Sequence, residues 1–383
     1  MNKQSNFFPK EGEPIGNSKL VDDGEFFERA IAILSLPRPA IGIDVVNQVL
    51  KKSYGLVARV TILASELEST ALVEAPGGES YVLKFSSRPE ARASFAYQCA
   101  ALTTLESKCP GIGPRIIHTV SGATFFEGFD GPEACTEGVF GYMQTALVGT
   151  LLKDLTLDGE MRHELGAMLA NVDLALAGVR HPSSLRPVLW NLRCWPKLRQ
   201  FSPLIDDKVM QVIVENVMDS YERNTVPKLS SIPWQATQAD PSPFNLMRLG
   251  GGEGFGIIDF GDGTWSPRAV DLATAAGHHL SDPNLPLGGA EDVFAGYTAY
   301  LRLSPLEIEC IGDLMAMRMA VLLLISAWRD QQYPEEAVYT NKNMKKTRLG
   351  LAFLDGFESD RLYDLIGSAC MGDNPCRNQQ KMK

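Results

Sequence analysis

The chain has 383 residues, 45% of them apolar, and a formal net charge of −10 at pH 7. That length predicts two or three domains with sizeable cores. The acidic balance argues against nucleic acid and an anionic membrane surface as partners. It favours a cationic small molecule about as much as it favours simple solubility. Seven cysteines, odd in number and without a Cys-x-x-Cys pair, predict reduced thiols and a cytoplasmic location. Met1 to Gly16 is polar, with no signal-peptide core. The longest apolar run, Met319 to Ala327, is far short of the roughly 20 residues of a membrane span.

Residues 1–53 read as an N-terminal extension with helices, whose first 20 residues are polar and expected to be mobile. Glu25 to Leu36 places Phe26, Ala30, Ile33 and Leu34 on one helical face, and Pro37 and Pro39 end it. A second helix starts after Asp44, turns Val45, Val46, Val49 and Leu50 inward, and stops near Gly55. Residues 54–145 read as a first, sheet-built lobe. Leu56–Leu63, Thr70–Glu74 and Ser80–Phe85 are predicted antiparallel strands, the last two joined through Pro76-Gly77-Gly78. A helix follows from Arg88 to Lys108, with Pro89 in its first turn. Pro114–Thr119 and Gly138–Thr145 are the last predicted strands of this lobe, with a glycine-rich surface loop, Phe125–Glu137, between them.

Residues 146–371 read as a second, mostly helical lobe. Asp158–Val179 has Leu165, Met168, Leu169, Val172 and Leu176 on one face. Asp206–Val226 is expected to turn Val209, Val212, Ile213 and Val217 inward. Later helices are predicted toward the end of Pro267–Leu280 and over Asp292–Leu301, Leu306–Trp328 and Asp360–Ser368. Residues 372–383 form a polar tail, expected to be flexible.

The chemistry concentrates between Gln238 and Asp271. Asp240 and Asn245 stand in a loop marked by Pro241, Ser242 and Pro243. Phe244–Leu249 and Phe255–Ile258 flank a glycine cluster, a pattern that predicts a hairpin with Asn245 before it and Asp259 after it. Two oxygen ligands so placed suit Mg²⁺, which keeps several sites for water and phosphate. Asp240 could receive a proton from a substrate hydroxyl. An Asp, an Asn five residues on, and then Asp259-Phe260-Gly261 is the phosphoryl-transfer order of kinase-like enzymes.

These residues, with Asp262 and Asp271-Leu272-Ala273, resemble the aminoglycoside phosphotransferase and choline kinase superfamily. Asp259-Phe260-Gly261-Asp262 and the stretch from His181-Pro182 to Trp190-Asn191-Leu192 resemble the hydroxylysine kinases within it. The resemblance runs from Tyr54 to the late 350s. It departs at Gln238-Ala239, where the superfamily usually has His-Gly before the Asp.

The resemblance implies a two-lobed, protein-kinase-like α+β fold binding ATP (or GTP) and Mg²⁺ between the lobes. The implied phosphate acceptor is the hydroxyl of a small amine or amino acid. A catalytically weak or inactive nucleotide-binding member of the same fold is the alternative. Lys84 would hold the phosphates. The loop Ser65-Glu66-Leu67-Glu68-Ser69 would cover them, using the Ser65 and Ser69 hydroxyls in place of glycines. A kinase-like fold wants a carboxylate on the following helix to pair with the lysine. Glu90 and Glu106 lie toward its two ends, and Gln98 takes the middle position. Tyr142 to Thr145 would form the hinge, with Met143 and Thr145 at the adenine edge. Asp262 reads as an outer support of the metal site, as a partner for a substrate ammonium, or as a turn residue. Arg318 reads as a clamp on a substrate carboxylate or as one half of an internal pair. Trp190 and Tyr333 are candidate faces for an ammonium.

Other signals carry less. A dinucleotide fingerprint must open a helix, whereas the cluster from Gly250 to Gly256 leads into a strand. His278-His279 points in two directions on a helix, which does not make a metal pair. No Gly-x-Ser-x-Gly elbow is present.

Overall fold

Between residues 59 and 145 the chain forms an antiparallel sheet and one long helix. The computed structural model describes residues 24–36, 41–63, 65, 67–129, 138–252, 254–336 and 341–372. The polar N-terminal 20 residues, most of the glycine-rich stretch and the tail from 373 lie outside these. The strands are β1 (Arg59–Leu63), β2 (Ser69–Glu74), β3 (Ser80–Ser86), β4 (Ile116–Ile117), β5 (Phe126–Phe129) and β6 (Val139–Thr145). Their order is β1-β2-β3-β6-β4, with β5 also on β6, and every pair is antiparallel. The start of the expected surface loop is therefore strand β5. Its register slips between Phe126 and Phe129, around a left-handed Gly128. Phe126 is buried and meets the Tyr54 ring edge-on at 6.2 Å. The glycine that reads as a loop signal marks a bulge.

Strand alternation sends Leu83, Phe85, Val139 and Met143 to one face, where Val46, Val49 and Leu50 of α2 (Ile43–Tyr54) cover them. Phe140 and Tyr142 point to the other face and pack around Phe95 of α3 (Ala91–Lys108), at 5.9 and 5.6 Å between ring centres. Lys84 pairs with Tyr142 across β3 and β6, so it shares that inner face. The two N-terminal helices part company. α1 (Glu25–Ser35) packs on the helical lobe through Phe27, 6.3 Å from Phe201, and Tyr333 Oη donates to Ser35 O at 3.0 Å. Its buried stripe is Phe27, Ala30 and Leu34. The expected Phe26 and Ile33 lie at the margin.

β6 leads into β7 (Gly149–Leu151), which pairs with β9 (Leu246–Leu249), itself paired with β10 (Phe255–Ile257). β8 (Trp234–Thr237) pairs with β11 (Thr264–Pro267). The helices are α4 (Gly159–Leu176), α5 (Trp195–Leu198), α6 (Lys208–Ser220), α7 (Ala269–Gly277), α8 (Ala290–Thr298), α9 (Pro305–Gln332), α10 (Met344–Asp355) and α11 (Ser359–Cys370). α9 begins with a capping box between Ser304 and Glu307, and Pro305 stands at its start. α4 and α8 touch backbone to backbone. A Cβ on Gly166 would lie 2.1 Å from Val293 O, and one on Gly296 would lie 1.9 Å from His163 O.

Two expectations fail in this lobe. α6 buries Met210, Ile213, Val214 and Met218, while Val209 and Val212 are exposed. Apolar residues occupy more than one face of α6, and the i, i+4 row of Met210, Val214 and Met218 decides which faces the core. α10 was not anticipated, because its buried row includes Thr347 and Gly350 between lysines and an arginine. Among the described residues, no helix is long and apolar enough to cross a membrane.

Candidate active site

The hairpin of β9 and β10 sets Leu246 opposite Ile257, and Ile258 N–H donates to Asn245 O at 2.8 Å. Asn245 and Asp259 therefore emerge side by side from its open end. Ala239 and Asp259 have positive φ, 73° and 58°, the only non-glycine residues to do so among the described residues. Each such turn costs about 1 kcal/mol. The fold offsets it with buried hydrogen bonds. Asp271, at the start of α7, accepts from Gln238 N–H and Ala239 N–H, both at 2.8 Å. Burial pushes the Asp271 carboxyl above the usual range, against the pull of those two bonds.

Gln238 answers the departure from His-Gly-Asp. Its Oε1 accepts from Asp240 N–H at 2.9 Å, and its Nε2 donates to Ile258 O at 3.1 Å and to Asp259 O. A neutral amide both donates and accepts, so it joins the Asp240 loop to the Asp259 loop. Asn245 Nδ2 donates to Asp240 O at 3.0 Å and Asp240 Oδ2 at 2.8 Å. That orientation leaves Asn245 Oδ1 without a donor among the described residues, beside Asp259. The donor set is the amide oxygen, a carboxylate and the space for phosphate oxygens. It fits a hard divalent cation. Among the described residues, no three His, Cys, Asp or Glu side chains cluster to hold a metal by themselves.

Lys84 is buried on β3 and meets three partners. Its Nζ lies 2.7 Å from Asp259 Oδ1, 3.1 Å from Gln98 Oε1 and 3.4 Å from Glu68 Oε2. Burial opposes its charge, yet Asp259 and Glu68 raise its pKa well above the ordinary lysine range. Gln98 also accepts from Tyr142 Oη at 2.7 Å and donates through Nε2 to Glu68 Oε1 at 2.6 Å. Ser94 Oγ donates to the same Glu68 oxygen at 3.0 Å. Sequence reasoning looked for this carboxylate on α3 and missed Glu68, which lies between β1 and β2. The signal was its spacing: Glu68 stands just before the strand paired with the lysine strand, since Ser69 opposes Phe85.

Three cavities meet here. One of about 400 Å³, lined by Ser65, Lys84, Gln144, Thr145 and Asp259, lies between the lobes. A second of about 150 Å³ is lined by Trp190, Asp240, Asn245, Asp259, Asp262 and Arg318. A third of about 390 Å³ opens toward α1 and the segment from Pro182 to Trp190. Asp262 borders all three. It keeps some accessible surface, but burial of the carboxyl, then Asp240 and Asp259, push it up to about 7. Arg186 and Arg318 pull the other way. Arg186 supports this turn from below, donating to Gly263 O at 2.6 Å and to Gly261 O. The sequence carried no mark that singled it out.

Several expected site residues lie elsewhere. The Met143 side chain packs toward α2 while Gln144 and Thr145 border the cleft, so only its backbone is left for the expected adenine edge. Ser69 is the first residue of β2, and Thr70 beside it borders the cavity. Tyr333 joins α9 to α1 outside the three cavities. Arg318 borders the small cavity, but its donors are engaged. It donates to Trp190 O at 2.7 Å, Ala239 O at 3.2 Å and Thr274 Oγ1 at 3.3 Å, and lies 3.9 Å from Asp240 Oδ1. It braces the Asp240 loop, which leaves little to clamp a carboxylate. His278 and His279 are held neutral by burial, with pKa values lowered to about 4 and about 3.

A profile of the phosphotransferase enzyme family matches residues 59–306, from β1 into the first turn of α9. The chain belongs to that family. It is a phosphotransferase of the kinase type, with a hydroxyl as acceptor group. It is 26% identical over 345 residues to a hydroxylysine kinase of Danio rerio, covering 86% of this chain and 93% of that protein. A hydroxylysine kinase of Xenopus laevis is 25% identical over 333 residues, covering 81% and 88%. Among solved structures, an amicoumacin kinase in complex with AMP-PNP, Ca²⁺ and Ami superposes with a TM-score of 0.61 at 15% identity, over 83% of this chain and 96% of that one. A microcompartment-associated aminopropanol kinase superposes at 0.58 and 15% identity, over 87% and 98%. These likenesses carry the two-lobed kinase-like fold.

Proposed function

We propose that this phosphotransferase moves the γ-phosphoryl group of ATP, or of GTP, to the hydroxyl of a small amine or amino acid, as a hydroxylysine kinase would. The observation that carries the reading is the position of Asp259. It borders both the cleft between the lobes and the small cavity that holds Asp240. A nucleotide in the first and an acceptor in the second would meet at that residue. Asn245 Oδ1 and Asp259 would hold Mg²⁺, which when bound neutralises charge on the phosphates. Lys84 binds phosphate oxygens, and Asp240 orients the acceptor hydroxyl and takes its proton. Arg318 and Gln238 keep that carboxylate in place. The enzyme's share is positioning and charge neutralisation.

The acceptor class follows from size and charge. The cavity beside Asp240 is about 150 Å³ and carries three carboxylates, Asp240, Asp259 and Asp262, with Trp190 at its side. That setting suits a compact ammonium-bearing alcohol. The test is an ADP-release screen with ATP and Mg²⁺ over hydroxylated amines, hydroxy amino acids, aminoglycosides and neutral sugars. Turnover confined to amine-bearing acceptors is expected. Transfer to neutral sugars alone would discard the ammonium site, and nucleotide binding without turnover on any acceptor would favour an inactive member of the family.

A further inference from the structure

The pairing of Lys84 points to a residue outside the motif. A kinase-like lysine is steadied by a carboxylate, and the expected place for one is the helix behind the sheet. Here α3 presents Gln98 at that place. The carboxylate comes instead from Glu68, in the loop between β1 and β2 that borders the nucleotide cleft. Glu68 is only 8% exposed. Oε2 faces Lys84 Nζ at 3.4 Å, while Oε1 accepts from Gln98 Nε2 at 2.6 Å and from Ser94 Oγ at 3.0 Å. Lys84, Gln98 and Ser94 are themselves fixed by β3 and by the middle of α3. Lysine, loop and helix thus form one closed set of charge-assisted and neutral hydrogen bonds.

We propose that Glu68 is the positioning carboxylate of Lys84, supplied by the phosphate-covering loop, so that the loop and the lysine take up their nucleotide-binding positions together. The inference rests on the nucleotide reading given above. Its physical content is a coupling. Without Glu68, Lys84 is left to Gln98, which is neutral, and to Asp259. When Asp259 turns to a metal and Lys84 to phosphate, Glu68 is the one remaining anion that the lysine keeps. Gln98 serves as the relay, accepting from the lysine through Oε1 and donating to Glu68 through Nε2.

The geometry allows a test by exchange. In Glu68→Gln the shape is kept, and the amide still has Ser94 and Gln98 as partners, but the anion is gone. In the double variant Glu68→Gln with Gln98→Glu, the carboxylate moves to α3. The carboxylate oxygen introduced at position 98 would meet Lys84 where Gln98 Oε1 now lies at 3.1 Å, and Tyr142 Oη would still donate to it. The residue 68 amide would donate back across the 2.6 Å contact, and the Ser94 hydroxyl would turn to suit. Every donor keeps an acceptor, and only the address of the charge changes.

Two readouts are taken on the full chain, with thermal unfolding to confirm the fold. Calorimetry measures ATP affinity with Mg²⁺. Mass-mapped labelling of Lys84 by an amine reagent, without nucleotide, measures how far its proton is held as pH is raised. Loss of a charge-assisted contact is worth about ten- to hundredfold. Glu68→Gln should weaken ATP binding by that factor and bring Lys84 labelling to lower pH, and the exchange variant should recover most of both. A structural role for Glu68 alone would not be rescued by moving the charge. If wild type binds ATP and Glu68→Gln binds it equally, with unchanged Lys84 labelling, the inference is overturned and the nucleotide reading stands. If wild type binds neither ATP nor GTP, the nucleotide reading falls and the inference falls with it. A labelling shift seen in that case would show only that Glu68 holds the lysine charge.

Discussion

The Lys84 cluster and the Asp240 loop are the two halves of this site, and they are built by opposite means. Asp240 is held almost within its own stretch of chain: Gln238, Ser242 and Asn245 contact it across a few residues. Asp271 and Arg318 then fasten the loop to α7 and α9. Lys84 is held by three residues from separate stretches of chain, at positions 68, 98 and 259, with Tyr142 fixing Gln98 in turn. The local half depends on backbone shape, including two left-handed residues. The assembled half depends on charge balance inside the fold. Substitutions should therefore fail differently in the two halves.

The largest effect belongs to the local half. Asp240→Asn should lose on the order of 10²–10⁴-fold in turnover, as removal of a general base does, with ATP affinity nearly unchanged. A parallel loss of ATP affinity, measured by calorimetry, would mean that Asp240 acts on the nucleotide side. Arg318→Met comes next. It removes donors to Trp190 O and Ala239 O, so turnover should fall by roughly ten- to hundredfold for every acceptor. A rise in KM restricted to amino-acid acceptors, with kcat kept, would instead make Arg318 the carboxylate clamp that its sequence position allows.

Gln238 sharpens the comparison because its role is one of hydrogen bonding alone. Gln238→Met should cost about tenfold in turnover by breaking the bridge between the loops. Gln238→His, with one ring nitrogen to donate and one to accept, should keep most of it. Steady-state kinetics on both variants decides; full turnover in Gln238→Met would show that the amide bridge contributes nothing.

The smallest effect is a pH dependence at the junction. The Asp262 carboxyl is raised to about 7 by burial, then by Asp240 and Asp259. A raised carboxylate is protonated below that pH and ionises as pH increases through it. An amine acceptor held by ionised Asp262 should thus show a KM that falls by up to about tenfold from pH 6 to pH 8. The same carboxyl binds a proton that the unfolded chain releases, so its burial costs stability above pH 7 and less as pH falls toward 4. Asp262→Asn should flatten the KM profile. A wild-type KM that stays level over that range would remove Asp262 from the ammonium site.

Legibility in the sequence follows the same division. Asp240, Asn245 and Asp259 could be read because the hairpin that aligns them is coded by neighbours: a Pro-rich loop, two apolar runs and a glycine turn. Lys84 could be read as a cation misplaced on an apolar strand. The strands β1, β2, β3 and β6 could be read as short runs between turn signals, α3 from Pro89 at its start, α4 from its periodicity and α9 from its apolar run. What periodicity does not settle is which of two apolar faces turns inward. Val209 and Val212 are therefore exposed, and Met143 looks toward α2 while its neighbour Gln144 meets the cleft.

By itself, then, the amino-acid order marked the hairpin that carries Asn245 and Asp259 and many of the strands and helices, because short-range spacing and hydrophobic alternation are local properties. The two-lobed plan came with the family resemblance. Only the tertiary structure decided the rest. It brought Glu68 to Lys84 from the covering loop, and it placed Arg186 beneath the Gly261–Gly263 turn. It committed Arg318 to the carbonyls of Trp190 and Ala239, and ran the Gln238 amide across to Ile258 O and Asp259 O. Each of these is a polar contact, ion pair or hydrogen bond, between groups far apart in the chain. Such a contact depends on which elements pack together, and no spacing along the chain records that.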